Sequence, residues 1–263
     1  MLRQIESDHV RRLYDKRCNG YDDTWHKDLA KDYIQWASLQ PGLSLLDLCS
    51  GTGLVSHAAK EVVGEGSVVG IDISDSMQAL AIQKACEAKL DIAYIKADVK
   101  NLESVTSLCP SSFDIITCCS AFTLVPQAAA ALKTWTKYLK KGGKIIVDIP
   151  AAGTESGFLG LLALSELSHD KFLEWNLDES NSWIGAKQQV QTAFEEAGLH
   201  VVDMFKTKSY ADRSNQVSKA DVWFDNLIKE DFYNIKFKDW NQRREAKTPV
   251  SYTHLTLPTI LRV

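Results

Sequence analysis

The sequence predicts an α/β fold, an open, doubly wound sheet of mainly parallel strands with helices on both faces. Three observations carry this. Short apolar runs of strand type alternate with helical patterns from Leu45 to Lys206. The first run, Leu45-Leu46-Asp47-Leu48, breaks into the turn Gly51-Thr52-Gly53, and a helix pattern follows at once. Acids recur in the first three strands as Asp47, Asp72 and Asp98, toward the edge where ligands of parallel sheets bind.

Residues 1–41 precede the first strand. Val10, Leu13 and Tyr14, then Trp25, Leu29, Tyr33, Ile34 and Trp36-Ala37, mark two amphipathic helices joined through Cys18 to Asp22. Pro41-Gly42 ends them. After the glycine turn, Leu54, Val55, Ala58, Ala59, Val62 and Val63 form one stripe, while His57, Lys60 and Glu61 face away. Glycines let backbone pass close under a ligand, and a helix N-terminus offers free N–H groups. Gly66 to Ser74 holds a second strand ending in Asp72. Ser74-Asp75-Ser76-Met77 caps the helix after it, with Met77, Leu80, Ala81 and Ala85 as its apolar side.

Ile92 to Asp98 is the third strand, and Asp98 could also cap the short helix that follows. Phe113 to Ser120 is the fourth, apolar enough to be buried on both faces. A helix is expected from Pro126 through Leu139, and Lys140-Lys141-Gly142-Gly143-Lys144 turns it into strand five, Ile145 to Ile149. A broadly apolar excursion fills 151–185. A helix from Ala186 to Ala197 then precedes strand six, Leu199 to Lys206, and 207–249 reads as helical.

Composition narrows the function. The chain has 263 residues, 45% hydrophobic and 24% charged, enough for one α/β domain with a smaller cap. A net charge of −4 and no Lys/Arg-rich block argue against nucleic acid as main partner. Six cysteines without a C-x-x-C pair suggest free thiols in a reducing compartment. A charged start, Met1 to Arg17, and the lack of a long apolar run suggest a cytoplasmic protein without a signal or membrane span. Oligomeric state is not readable.

Together the Asp47–Gly53 stretch and the strand ending in Asp72 resemble motif I and the following acidic motif of class I S-adenosylmethionine (SAM)-dependent methyltransferases. Phe113-Asp114 and the Leu-Lys-Lys-Gly-Gly run, with Lys141 where proline is usual, agree. Tyr14-Asp15 and Gly20-Tyr21-Asp22 resemble the N-terminal signature of the ubiquinone/menaquinone-biosynthesis C-methyltransferase branch. The resemblance implies a Rossmann-like core at 42–206, an N-terminal cap at 1–41 closing over SAM, and a substrate-covering insert at 151–185. It also implies a cofactor-binding set: Asp47, Cys49, Ser50, Gly51, Thr52, Gly53, Asp72, Ile73, Met77, Asp98, Val99, Ser120 and Tyr21. Within it, Gly51 to Gly53 lie under the methionine part, Asp72 takes both ribose hydroxyls, and Asp98 with Val99 holds adenine. No metal is implied.

The implied reaction is methyl transfer to an O-, C- or N-nucleophile of a small molecule by in-line displacement. The loop from Ser120 to Pro126 lacks the Asn/Asp-Pro-Pro-Tyr/Phe tetrapeptide of adenine- and glutamine-N-methyltransferases, which disfavours those substrates. No catalytic base can be named: His57 is expected on the solvent side, and His26 and His169 are lone histidines in cap segments. The rival readings are a non-catalytic methyltransferase-like subunit and, disfavoured by Ser56 and Asp47, an NAD-dependent oxidoreductase.

A seventh, antiparallel strand is expected in such a sheet. The sequence instead carries Val250 to Thr259, which reads in order as a translated sequencing adapter. Residues 250–263 are therefore expected to be an artefactual tail, the native sequence departing after about residue 248. With Pro258 interrupting the run, they are not expected to supply the seventh strand.

Overall fold

The structure is a computed structural model and describes residues 7–125, 127–149, 187–208, 210 and 259–262. The excursion at 151–185, the helical reading of 211–249 and the stretch 250–258 lie outside them.

Five parallel strands form the centre: β1 (Leu45–Leu48), β2 (Val68–Asp72), β3 (Ala93–Lys96), β4 (Phe113–Cys118) and β5 (Leu139–Ile149). Two more, β6 (Asp203–Lys206) and β7 (Thr259–Arg262), complete a seven-stranded sheet in the order β3-β2-β1-β4-β5-β7-β6. The strand order reverses between β1 and β4, which opens a crevice at their carboxyl ends.

Alternation along the strands sorts the core into two layers. Leu46, Leu48, Ile116, Ile145 and Val147 face one way, packing with Leu132 and Trp135 of α5 (Ala128–Trp135) and Phe194 of α6 (Lys187–Glu196). Leu45, Val68, Ile115 and Ile146 face the other. They meet Leu29 and Tyr33 of α2 (His26–Ala37) and Val55, Ala59 and Val63 of α3 (Leu54–Val63). Both faces of the central strands β1 and β4 are therefore buried, as their apolar runs require, whereas the outer strand β3 is partly exposed.

Helix boundaries follow local chemistry. The α4 helix (Asp75–Glu87) starts where the Ser74 hydroxyl accepts from the Met77 N–H at 3.2 Å. The α2 helix stops at Ser38 in the left-handed region, ahead of the expected Pro41-Gly42. The α1 helix (Ser7–Arg17) lies against α4, and α2 against α3.

Four expectations are corrected. The α3 stripe is narrower than expected: Val62 is exposed, while Ser56 is fully buried. The helix after β4 begins at Ala128, behind the left-handed Gln127, and gives way to a 3₁₀ turn at Thr136–Tyr138. The Lys-Lys-Gly-Gly turn lies inside β5: Phe113 pairs with Leu139 and Ile115 with Lys144, so the residues between bulge from the ladder. The sheet does have its seventh strand. Residues 259–262 run antiparallel to both neighbours, with Val147 and Met204 opposite Leu261. In sequence, Pro258 comes just before this strand and does not fall within it.

Candidate active site

The loop leaving β1 is built from left-handed backbone. Cys49 has φ 55°, Gly51 53° and Gly53 83°. At Gly53 a Cβ would stand 2.4 Å from the Tyr94 hydroxyl and 2.9 Å from the His57 ring, so a side chain there would force these groups to shift as well as straining a left-handed backbone. At Gly51 a Cβ would meet nothing within 4 Å and would project into open space.

Asp72, at the end of β2, sits beside this turn and is 8% exposed. One carboxylate oxygen accepts the Gly51 N–H at 2.8 Å, the other the Ser74 N–H at 2.8 Å. Burial pushes its acidity toward the neutral form, and these bonds oppose the shift. Asp98, after β3, caps the following 3₁₀ turn by accepting the Lys100 N–H at 3.0 Å.

Beyond β4, Ser120 is again left-handed, φ 55°. Its N–H donates to buried Asp148 at 2.6 Å, and the Tyr33 hydroxyl of α2 donates to the same oxygen. Burial raises the Asp148 pKa. Sequence reading missed Asp148, although an acid inside the run Ile145-Ile146-Val147-Asp148-Ile149 was a visible signal.

These loops border a cleft of about 680 Å³, part of it open to solvent. Of the expected set, Tyr21, Cys49, Gly51, Asp72, Ile73, Asp98, Val99 and Ser120 line it. Tyr14 and Val10 of α1 close one side, and Ala121, Leu124 and Val125 form an apolar wall that sequence reading had not singled out. Ser50, Thr52, Gly53, Met77 and Asp47 do not line it. Met77 is core, 1% exposed. Asp47 is 1% exposed and lies beneath the turn, accepting from the Ser56 hydroxyl at 2.6 Å and the Thr117 hydroxyl at 2.9 Å. Burial pushes its pKa up to about 6. Ser56, where a dinucleotide fingerprint has its third glycine, thus serves as the buried partner of Asp47.

The structure places His57 less openly than expected: it is half-buried and bonds the Ala81 carbonyl of α4 through Nε2 at 3.1 Å. His26 is buried, stacked on Tyr21 with centroids 4.3 Å apart, and bonded to the Thr24 hydroxyl at 2.6 Å. Burial holds it neutral, with its pKa lowered to about 3. His169 lies outside the described residues. Among the described residues no group of His, Cys, Asp or Glu could hold a metal ion. No described helix is long and apolar enough to cross a membrane.

A glycine turn, two strand-end acids and a cleft at the switch point define a site for a small ligand of mixed polarity. The family model described as a methyltransferase domain matches residues 45–143. A demethylmenaquinone methyltransferase from Shouchella clausii is 30% identical over 197 residues, covering 70% of this chain and 81% of the relative. Among solved structures, a complex between a methyltransferase activator and a methyltransferase from Haloferax volcanii matches at 25% identity and TM-score 0.56, covering 99% of this chain and 98% of that one. An Aquifex aeolicus SAM-dependent methyltransferase shares the fold at 18% identity and TM-score 0.56, covering 73% and 92%. The chain belongs to the class I SAM-dependent methyltransferases, in their menaquinone/ubiquinone branch. SAM is its cofactor. The chemistry of the cleft fits that molecule in that buried carboxylate and apolar residues share its lining, and Gly51 leaves open the space a side chain would fill.

Proposed function

We propose that this chain methylates a small, largely apolar acceptor carrying a hydroxylated ring, a quinol-type carbon nucleophile being the first candidate. The observation that carries the reading is the mixed lining of the cleft. The carboxylates of Asp72 and Asp98 share it with the apolar and aromatic residues Val10, Tyr14, Tyr21, Ala121, Leu124 and Val125. The demethylmenaquinone methyltransferases among its relatives support the quinol class.

When bound, SAM supplies an activated methyl group on a sulfonium that leaves as a neutral thioether. The residues of the chain then have three tasks. Asp72 accepts both ribose hydroxyls with lone pairs not used by Gly51 and Ser74. Asp98 and the Val99 N–H hold the adenine edge, and Gly51 lets the methionine portion lie close to backbone. Ser120 and Tyr21 complete the surroundings of the cofactor, and the apolar wall orients the acceptor and excludes water, which supports in-line transfer. Among the described residues lining the cleft there is no histidine or lysine, and no catalytic base is assigned.

The test is transfer of labelled methyl from SAM across a panel of quinols, phenols and amines. Product from quinols, with the label on carbon, is the expected result. Turnover confined to amines would replace the quinol reading.

A further inference from the structure

The glycine turn has two left-handed glycines and, between them, one side chain by which it can be gripped. That side chain is Thr52, 1% exposed and turned away from the cleft. Its hydroxyl donates at 2.5 Å to Asp22, thirty residues earlier in the cap. Asp22 stands on the 3₁₀ turn Tyr21–Asp23, whose first residue lines the cleft. The second oxygen of Asp22 takes the ammonium of Lys84 from α4. One carboxylate therefore ties together the cap, the glycine turn and the helix after β2.

We propose that Asp22 is a positioning residue for cofactor binding. Through Thr52 it holds the glycine turn in its binding conformation, and through its own backbone it sets the Tyr21 ring over the cleft. Without the clasp, a turn containing two glycines samples other conformations, and each must be given up again when ligand binds. Asp15 anchors the cap separately, accepting from the Ser74 hydroxyl at 2.7 Å and the Ser76 N–H at 3.2 Å. The cap therefore remains attached when the Asp22 clasp is cut. Lys84 orients Asp22 from a half-exposed site, so its removal matters less. The inference rests on the SAM-dependent reading of the cleft.

The experiment measures S-adenosylhomocysteine affinity by calorimetry in the full chain. Thr52→Val and Asp22→Ala are each expected to weaken it about tenfold, and Thr52→Ser to stay within about twofold of the parent protein. In the double variant the losses should not multiply, because both cut the same bond. Lys84→Met should weaken binding by less than about threefold. If Asp22→Ala fails to fold, the Thr52→Val and Thr52→Ser pair decides alone. Parent-like affinity in folded Thr52→Val, or losses that multiply, would overturn the clasp. Absence of binding in the parent protein would instead overturn the cofactor site on which it rests.

Discussion

The two rims of the cleft are each held by a buried carboxylate, but the two carboxylates draw on different parts of the molecule. On the β1/β2 rim, Asp72 accepts from the N–H groups of Gly51 and Ser74, both inside the core and within 21 residues. On the β4/β5 rim, Asp148 accepts from Ser120 and from Tyr33, and Tyr33 belongs to the N-terminal cap 115 residues away. The bonds of Asp72 itself stay within the core, whereas those of Asp148 reach into the cap, which touches the β1/β2 rim through Asp15 and Asp22 instead. Anything that displaces α2 should disturb the β4/β5 side, and anything that frees Asp22 should disturb the glycine turn.

The largest effect expected is on Asp148. Asp148→Ala removes two hydrogen bonds to a carboxylate, leaving the Ser120 N–H without its acceptor and the Tyr33 hydroxyl with the Cys118 carbonyl alone, at about 1.5–3 kcal/mol per bond lost. Urea unfolding should show a loss of about 2–4 kcal/mol, partly offset because a buried carboxylate is removed with it. Unchanged stability would mean that the β4/β5 rim is held by something else.

Asp47 beneath the turn tests the cofactor-side rim through pH. Its folded pKa of about 6 lies above the unfolded value of about 3.9, so the folded state binds the extra proton. The stability this contributes is fully present below about pH 4 and is lost as pH rises through about 6, amounting to about 2–3 kcal/mol. Asp47→Asn should flatten the stability profile across that interval. An unaltered slope would assign the titration to another group.

Next in size is Asp72→Ala, which should weaken SAM binding at least about tenfold, about 1.4 kcal/mol, in a protein that still folds. Calorimetry in a folded variant with unchanged affinity would remove Asp72 from the ribose position. The smallest effect belongs to Tyr33→Phe. It deletes one hydroxyl that donates to Asp148 and, at 3.1 Å, to the Cys118 carbonyl, for about 1 kcal/mol of stability. The comparison of the rims is sharpened if Tyr33→Phe slows methyl transfer while SAM affinity stays constant.

What the sequence determined by itself is the local grammar. The alternation of Leu45, Leu46 and Leu48, the capping Ser74, and the strand-end positions of Asp72 and Asp98 are each encoded within a few neighbouring residues. They yielded the strands, the order of elements and much of the cleft lining. Periodicity and turn chemistry act over one or two turns of chain, so such features can be read without a fold.

Only the tertiary structure decided the rest. Whether Asp47 faces ligand or core depends on Ser56 and Thr117 arriving from α3 and β4. Whether Tyr33 is mere packing or an anchor depends on Asp148, and the grip on Thr52 depends on Asp22 from the cap. The seventh strand at 259–262 follows the same rule. Its local signal was weak, with a proline beside it, yet open backbone on β5 and β6 offers partners on both sides. Unpaired N–H and C=O groups recruit a strand by hydrogen bonding to backbone, which every residue but proline supplies in full. That demand comes from the sheet and is therefore absent from the four residues that meet it.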